Sequence, residues 1–373
     1  MKKPILEKVK KIKSCHGVKW QDNYSWIHQK NILDVLKDGS KLDKKVRKYL
    51  EEENKYTDFH LKNIRPLQKT LFKEIKGRIK LDNVSLPFKD TNYEYWTKTT
   101  KSGNYSIRLR KKIDSKKIEI YWDGNKEHKL SKSEYFGIGD LAVSYNDKLL
   151  GYSLDLKGSE YFTIYIRQIS NNKLVSSKIN DTSGNIIFSL DDKYIFYSKL
   201  DNNHRPKTIF RHEIGTPIKN DILIFEEKND RFTVGIDITS DEKYFIISSG
   251  DHTTSEVYYF LSDDKAPKPQ LFQKAKEGII YSINSWGKYF YIHTNYKAED
   301  FKICKCLHNK TNNWKDVVPA KDEVLVGGFT MLNNWMIRSE TINAIPKIFV
   351  KNLLTNKEEE LLFTEEEIYS PGI

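Results

Sequence analysis

The pattern of apolar positions changes near residue 80 and divides the chain into two regions. Arg65-Pro66 interrupts the first region, because proline disfavours helical angles at the preceding residue and suits the first turn of a new helix. The sequence therefore predicts two helices, at about residues 40–63 and 66–76. The evidence for these helices is that apolar residues before residue 80 recur at the three- and four-residue spacing of helices. They are Leu42, Val46, Tyr49, Leu50, Leu67, Leu71, Ile75 and Ile79.

From about residue 84 onward, short segments of strand length alternate with clusters of turn residues, and no helix is predicted. One turn-plus-strand sequence recurs, as TNYEYWT (91–97), NDKLLGYS (146–153), DDKYIFYS (191–198), DEKYFIIS (241–248), WGKYFYIH (286–293) and NNWMIRS (333–339). The equivalent positions Asn92, Lys148, Lys193, Lys243, Lys288 and Asn334 are 56, 45, 50, 45 and 46 residues apart.

A repeat of this length, with about four strands in each unit, is typical of β-propeller blades. One four-stranded sheet cannot cover both of its faces, so neighbouring sheets must pack face to face. Six copies are visible, and EEEIYSPGI at 365–373 resembles the start of a seventh. A complete six-bladed propeller and a seven-bladed one that is incomplete in its last blade both remain open. The predicted domains are a helical segment at 1–80 and an all-β propeller at 84–373.

Composition narrows the classes of partner and compartment. The 63 Lys and Arg residues exceed the 51 Asp and Glu residues and give a net charge of +12, but they are spread along the chain, so nucleic-acid binding is not predicted. Three cysteines, Cys15, Cys304 and Cys306, are too few for a disulfide framework and favour a reducing compartment. The basic N-terminus lacks the apolar stretch of a secretory signal, and no apolar run could span a membrane. A cytoplasmic protein without membrane contact is expected.

A search for catalytic motifs yields no candidate of the expected kind. The serine nucleophile motif G-x-S-x-G is absent from the sequence. Ser240–Lys243 and Ser285–Lys288 match the S-x-x-K spacing, but both lie in the repeated turn rather than on a helix. Gly137-Ile138-Gly139 lacks the lysine and the following helix of a phosphate-binding loop.

Metal and acid–base motifs are also missing. Cys304 and Cys306 share one face of a predicted strand and are interpreted as a buried pair, since no second ligand pair accompanies them. His204 and His212 flank a proline-containing turn that fixes no common face. The acidic runs Glu51–Glu53 and Glu358–Glu360 are typical of a solvated surface. The sequence therefore predicts no catalytic, cofactor-binding or metal-binding residue and no cofactor.

Eight segments, in the same order and at similar spacing, resemble the N-terminal half of oligopeptidase B (protease II), a member of the prolyl oligopeptidase family of serine peptidases. They are DNYSW (22–26), KYLEEENKYT (48–57), EIKGRIK (74–80), YFGIG (135–139), NDTSGNIIF (180–188), IFRHEIGT (209–216), IFEEKNDRF (224–232) and TTSEVYY (253–259). The resemblance implies a seven-bladed propeller that limits access to the active site of an α/β-hydrolase domain, and an N-terminal segment that packs on that domain. It also implies a Ser-His-Asp triad that cleaves short peptides after Arg or Lys.

The chain stops within the seventh blade of that pattern, before the hydrolase domain and its triad. Alone, it is therefore expected to be inactive as a peptidase. A second chain carrying the catalytic domain is the implied partner, and short peptides are the implied substrates of the intact enzyme. Two alternatives remain open, namely a free-standing propeller that serves as a protein-binding scaffold and a non-functional gene fragment.

Overall fold

The computed structural model describes residues 1–362 and divides into two compact units. The first contains residues 1–137 and 155–160, and the second contains residues 138–154 and the chain from 161 onward. The α-helices of the described residues all lie in the first unit: α1 Ile32–Lys37, α2 Lys44–Leu61, α3 Arg65–Arg78 and α4 Gly124–Ser131. Short 3-10 helices occur at Ser25–Ile27, Gly39–Lys41, Lys62–Ile64 and Ile218–Asn220.

The two predicted helices are confirmed as α2 and α3. Helix α2 begins after Asp43, whose carboxylate accepts hydrogen bonds from the backbone N–H groups of Lys45 (2.9 Å) and Val46 (3.1 Å) and so caps the helix. It ends at Leu61, and one 3-10 turn separates it from α3, which has Pro66 in its first turn. The break predicted from the proline is therefore present, with boundaries shifted by a few residues.

Two elements were not predicted. Residues 11–22 form a hairpin whose turn residues His16 (φ 49°) and Gly17 (φ 80°) both have positive φ, as tight two-residue hairpin turns require. The expectation of no helix beyond residue 84 is wrong at α4. This helix is capped by the Asp123 carboxylate, which accepts from two backbone N–H groups. Leu130 is its single large apolar residue, so it has no apolar periodicity that could reveal it.

The remaining described strands form six antiparallel groups of four consecutive strands, here called meanders 1 to 6. The first unit contains the hairpin, β1 Lys11–Cys15 and β2 Val18–Asp22, and meander 1, β3 Phe88–Asp90, β4 Tyr93–Lys98, β5 Ile107–Lys112 and β6 Ile118–Asp123. Meander 2 is β7 Gly137–Val143, β8 Leu149–Asp155, β9 Phe162–Gln168 and β10 Ile179–Thr182, and meander 3 is β11 Ile187–Phe188, β12 Tyr194–Leu200, β13 Pro206–Glu213 and β14 Ile222–Glu226. Pairing of Thr182 with Lys199 joins meanders 2 and 3 into one sheet.

The second unit continues with three separate four-stranded sheets. Meander 4 is β15 Thr233–Ile238, β16 Tyr244–Gly250, β17 Ser255–Leu261 and β18 Gln270–Gln273. Meander 5 is β19 Tyr281–Trp286, β20 Tyr289–Thr294, β21 Lys302–Leu307 and β22 Lys315–Val318. Meander 6 is β23 Val324–Leu332, β24 Trp335–Ile342, β25 Ile345–Asn352 and β26 Glu358–Glu360. The recurring sequence coincides with the second strand of every meander and the turn before it, which confirms the repeat. The seventh copy suggested at 365–373 lies outside the described residues.

The second strands of meanders 3, 4 and 5 are apolar on both faces because each contributes to two cores. On β12, Ile195 and Tyr197 belong to the cluster formed by meanders 2 and 3, whereas Phe196 points the other way, into the cluster of meanders 3 and 4. On β16, Phe245 joins the latter cluster and Tyr244 joins that of meanders 4 and 5. This explains why the second strands of meanders 3 to 5 begin with continuous apolar runs rather than alternating ones.

The turn before each second strand follows a common hydrogen-bonding scheme in meanders 2, 3 and 4. In meander 3, Ser189 Oγ accepts from the backbone N–H of Tyr194 (3.0 Å) and donates to Asp191 Oδ1 (2.8 Å), while Asp192 adopts a positive φ of 56°. Asp192 also accepts from two backbone N–H groups of the equivalent turn in meander 2, at 2.7 Å each. The repeated turns therefore connect neighbouring meanders as well as neighbouring strands.

Candidate functional site

Of the two serines with S-x-x-K spacing, Ser240 lies in the turn of meander 4, as predicted, whereas the prediction is wrong for Ser285, which lies on strand β19 of meander 5 just before the turn. Ser240 donates its backbone N–H to Asn284 Oδ1 (2.8 Å), and its Oγ accepts from Asn284 Nδ2 (2.8 Å). Lys243 points to His308, with Nζ 3.4 Å from Nδ1, rather than to Ser240. These contacts serve to join the turn of meander 4 to meander 5.

Ser285 is fully buried and contacts the partly buried Asp241 and His308, but it is not activated there. Its hydroxyl donates to Asp241 Oδ2 (2.9 Å), and its Oγ is 3.0 Å from His308 Nε2. Because the Lys243 ammonium can only donate, His308 Nδ1 accepts and Nε2 carries the proton. Burial and the nearby Lys243 charge lower the pKa of His308, which favours this neutral form. The histidine therefore donates to the serine and cannot act as its base.

Cys304 and Cys306 are both buried on β21, which confirms the predicted strand and shared face. Burial and a hydrogen bond to Asp316 (3.2 Å) raise the pKa of the Cys304 thiol to about 12, and burial raises that of Cys306 to about 11. Metal binding requires thiolates, which these environments disfavour. Among residues 1–362, no group of three or more His, Cys, Asp or Glu side chains is arranged to hold a metal ion.

The glycine pair of the sequence Gly137-Ile138-Gly139 lies on strand β7, not in a phosphate-binding loop. A Cβ atom at Gly139 would lie 2.5 Å from Ser153 Oγ and 2.7 Å from the Phe162 ring. These side chains lie so close to the backbone that only glycine fits at position 139. Nor does any α-helix of the described residues follow β7.

The two acidic runs have different environments. Glu51–Glu53 lie on α2 at the surface, as expected of a solvated face. Glu358, by contrast, accepts two hydrogen bonds from the guanidinium of Arg338, at 2.6 and 2.8 Å. Arg338 is completely buried, and its Nε donates to the equally buried Glu340 (2.9 Å). These charges, with Lys321 on Glu340, form a network that ties together the strands of meander 6.

His204 and His212 are not brought together, but His212 forms a cluster that the sequence did not reveal. His212 Nε2 is 2.5 Å from Ser176 Oγ, and its Nδ1 is 2.7 Å from Asp221 Oδ1. The second oxygen of Asp221 accepts from the hydroxyl of Tyr197 (2.8 Å). We call these the Ser176–His212–Asp221 cluster. The three residues have no motif spacing: His212 is on β13, Asp221 directly precedes β14, which pairs with β13, and Ser176 comes from the loop between β9 and β10.

An exposed apolar surface covers one side of α3. None of the side chains of this helix is buried, although its sequence has the apolar periodicity of a core helix. The exposed apolar positions on the helix and their exposed fractions are Leu67 58%, Leu71 45%, Phe72 67% and Ile75 60%, and Ile79, directly after the helix, is 58% exposed. A shallow groove of about 440 Å³ adjoins this surface and is lined by Asp58, Leu61, Arg65, Gln68, Lys69 and Phe72.

An isolated helix of this length is marginally stable in water, and most helices in proteins are stabilised by packing of their apolar face. The apolar surface of α3 is therefore the strongest candidate for an interface in the first unit. No helix in residues 1–362 combines the length and apolar character that crossing a bilayer requires.

Comparison with solved structures shows which fold this chain has. Oligopeptidase B from Leishmania major matches with a TM-score of 0.88 at 20% identity, over 98% of this chain and 54% of that one. The Trypanosoma brucei oligopeptidase B with covalently bound antipain matches with a TM-score of 0.87, also at 20% identity, over 98% of this chain and 54% of that one. Likeness at this identity shows the fold, which is a β-propeller preceded by a small helical segment.

The family follows from the sequence. The model of the prolyl oligopeptidase N-terminal β-propeller domain matches residues 4–372, so the chain belongs to this family. Dipeptidyl aminopeptidase BI of Pseudoxanthomonas mexicana is 27% identical over 390 residues, which cover 99% of this chain and 52% of that protein. Protease 2 of Moraxella lacunata is 26% identical over 351 residues, which cover 88% of this chain and 49% of that protein. The chain thus spans about half the length of these relatives.

Proposed function

We propose that this chain is the propeller portion of a serine oligopeptidase and that it limits access of substrates to an α/β-hydrolase domain outside these 373 residues. The intact enzyme would cleave short peptides after Arg or Lys, and it would act in the cytoplasm, where the three free cysteines stay reduced. Membership of the propeller family and the names of the relatives, which are peptidases, support the reaction class. The resemblance to oligopeptidase B supports the specificity.

The exposed apolar surface of α3 is the observation that carries this proposal. Leu67, Leu71 and Ile75 repeat every four residues, so they form one stripe, and Phe72 extends it. A stripe of this kind on a short helix needs a covering surface, and the catalytic domain is the partner we assign to it. The helix is also basic, with Arg65, Lys69, Lys73, Lys76 and Arg78 against Glu74 as its single acidic residue. An apolar groove with an acidic rim would complement it.

The test is complementation of activity in trans. The purified chain should show no amidase activity on peptide substrates with Arg or Lys at the cleavage position. It should form a stable complex with a separately expressed catalytic domain, for which the C-terminal half of Protease 2 of Moraxella lacunata, outside the part that this chain matches, is the surrogate. Amidase activity of that half toward short peptides should then rise, and cleavage of long unfolded polypeptides should fall.

Variants of α3 separate docking from folding. Phe72→Ser together with Ile75→Ser should weaken the complex at least ~10-fold, because two exposed apolar side chains contribute about 1.5–3 kcal/mol each when they are fully buried. Leu130→Ser, at another exposed apolar position on α4 of the same unit, is the matched control and should bind normally. Absence of a complex, or equal binding by both variants, would contradict the proposal and favour a free-standing scaffold.

A further inference from the structure

The Ser176–His212–Asp221 cluster has the hydrogen-bonding order of an activated serine. The Asp221 carboxylate accepts at Oδ1, so His212 Nδ1 carries the proton and Nε2 is the unprotonated nitrogen. Nε2 faces Ser176 Oγ at 2.5 Å and can therefore accept the hydroxyl proton. A nucleophile bound to a base that a third group orients is the arrangement required for nucleophilic catalysis by serine. The orientation is the reverse of that at Ser285, where the histidine is the donor.

Burial in the cluster protects the base but leaves the serine accessible. The side chains of His212 and Asp221 are 0% and 4% exposed. Tyr197, itself buried, holds the second Asp221 oxygen and so fixes the carboxylate. Ser176 lies on the loop between β9 and β10 and is only partly buried. Because the side chains of the other two members are almost inaccessible, Ser176 is the member at which we expect a reagent to enter.

We propose that Ser176 is a nucleophile that small activated acyl and phosphonyl esters modify covalently. With a fluorophosphonate, Ser176 Oγ bonds to phosphorus, the P–F bond breaks, and fluoride leaves with its electron pair. The serine proton passes to His212 Nε2, and Asp221 stabilises the resulting imidazolium. This assigns a reactive residue to a propeller for which the sequence predicted none, and it is independent of the proposed peptidase function.

We expect the covalent label to stay on Ser176 rather than to be released rapidly by hydrolysis. The backbone N–H of Gly215 lies 3.2 Å from Ser176 Oγ and is already bonded to it. Efficient acyl transfer uses several donors aimed at the developing oxyanion, and loss of one such donor reduces the rate on the order of 100- to 1,000-fold. The reaction should therefore stop at about one label per chain.

The experiment is labelling of the purified 373-residue chain with a biotinylated fluorophosphonate, followed by peptide mapping. The label should be on Ser176, and Ser176→Ala should abolish it. Ser177→Ala is the matched control, since Ser177 is the exposed neighbour and should not matter. Asp221→Asn should slow labelling ~100-fold or more, because the base then loses its orienting group. Circular dichroism of each variant establishes that it is folded.

A second measurement keeps the test valid if Asp221→Asn does not fold. Denaturation of the unsubstituted chain in urea should abolish labelling, because only the folded chain assembles the cluster. Labelling at Ser177, labelling that survives in urea, or a signal no greater than that of Ser176→Ala would overturn the proposal. The cluster would then serve only to tie the loop before β10 to meander 3.

Discussion

At the scale of single residues, Arg338 illustrates how a buried charge depends on its partners. Its side chain and that of Glu340 are completely inaccessible, and Glu340 also receives two hydrogen bonds from Lys321 at 2.9 Å. Glu358 completes the pairing of the guanidinium. Removal of one partner from such a group leaves an uncompensated buried charge, which costs more than the pair contributes.

We therefore expect Arg338→Met to lower the free energy of unfolding by about 3 kcal/mol or more, as measured by urea denaturation. Lys347→Met is a matched control in the same meander, because Lys347 pairs with Glu360 in a partly exposed position, and it should cost less than about 1 kcal/mol. Adding Glu340→Gln to Arg338→Met should recover part of the loss. An equal effect of the two single variants would contradict this account.

His308 predicts a dependence of stability on pH. Burial, together with the Lys243 charge, lowers the pKa of His308 in the folded state, so the folded chain binds fewer protons than the unfolded chain near this value. The stabilisation is complete above the unfolded pKa of about 6.5 and is lost as the pH falls below it. The urea midpoint should therefore fall between about pH 7.5 and pH 5.5.

Substitution of His308 by glutamine should make this fall smaller, because the amide can still donate to Ser285 without titrating. Burial also lowers the pKa of His293, although its hydrogen bond to the Val326 carbonyl opposes the shift, so His293 should account for part of the remaining dependence. His252→Gln, at an exposed position, is the control and should leave the pH profile unchanged. An unchanged profile in His308→Gln would count against the assigned cause.

At the scale of elements, the N-terminal hairpin and strand β12 represent two extremes of burial. The hairpin is fully paired, but none of its side chains is buried, and Trp20 is 44% exposed. In β12, four consecutive residues, 195–198, are buried. Both elements are antiparallel and hydrogen-bonded, so they differ mainly in tertiary support.

Hydrogen exchange should reveal this difference in the isolated chain. The paired amides of β1 and β2 should exchange at least ~100-fold faster than those of β12, because local opening of the hairpin uncovers little apolar surface. Mass spectrometry of peptides covering residues 1–40 and 193–198 provides the measurement. Similar protection of both regions would mean that the hairpin has a stabilising contact that its burial does not indicate.

The elements also show what a sequence can and cannot reveal. Strand β12 was predictable because YIFY is an uninterrupted apolar run after a recognisable turn. Helix α4 was not, since a cap at Asp123 and a single leucine produce no periodic pattern. The contact of Ser176 with His212 depends on the arrangement of strands far apart in the sequence, and no local spacing encodes it. The repeat could thus be predicted from local sequence signals, whereas the side-chain clusters could be found only from the three-dimensional structure.

At the scale of the whole molecule, the fold agrees with the prediction from the repeat, and the family agrees with the resemblance. The six described meanders correspond one to one with the six copies of the turn-plus-strand sequence. The family could be predicted from the amino-acid sequence, because eight short segments resemble oligopeptidase B and occur in the order typical of that family. These segments gave no indication of the Ser176–His212–Asp221 cluster, although His212 lies within one of them.

The sharing of the second strands of meanders 3, 4 and 5 between two cores has a consequence for how the second unit unfolds. In a linear array of repeats, the balance between the stability of a repeat and its coupling to its neighbours decides whether repeats melt singly or together. Here Ile195 and Phe196, adjacent on one strand, belong to different clusters, so melting of meander 3 would remove apolar partners from both neighbours at once. The coupling is therefore large, and the second unit should lose its structure as one cooperative block, without stable intermediates that lack a single meander.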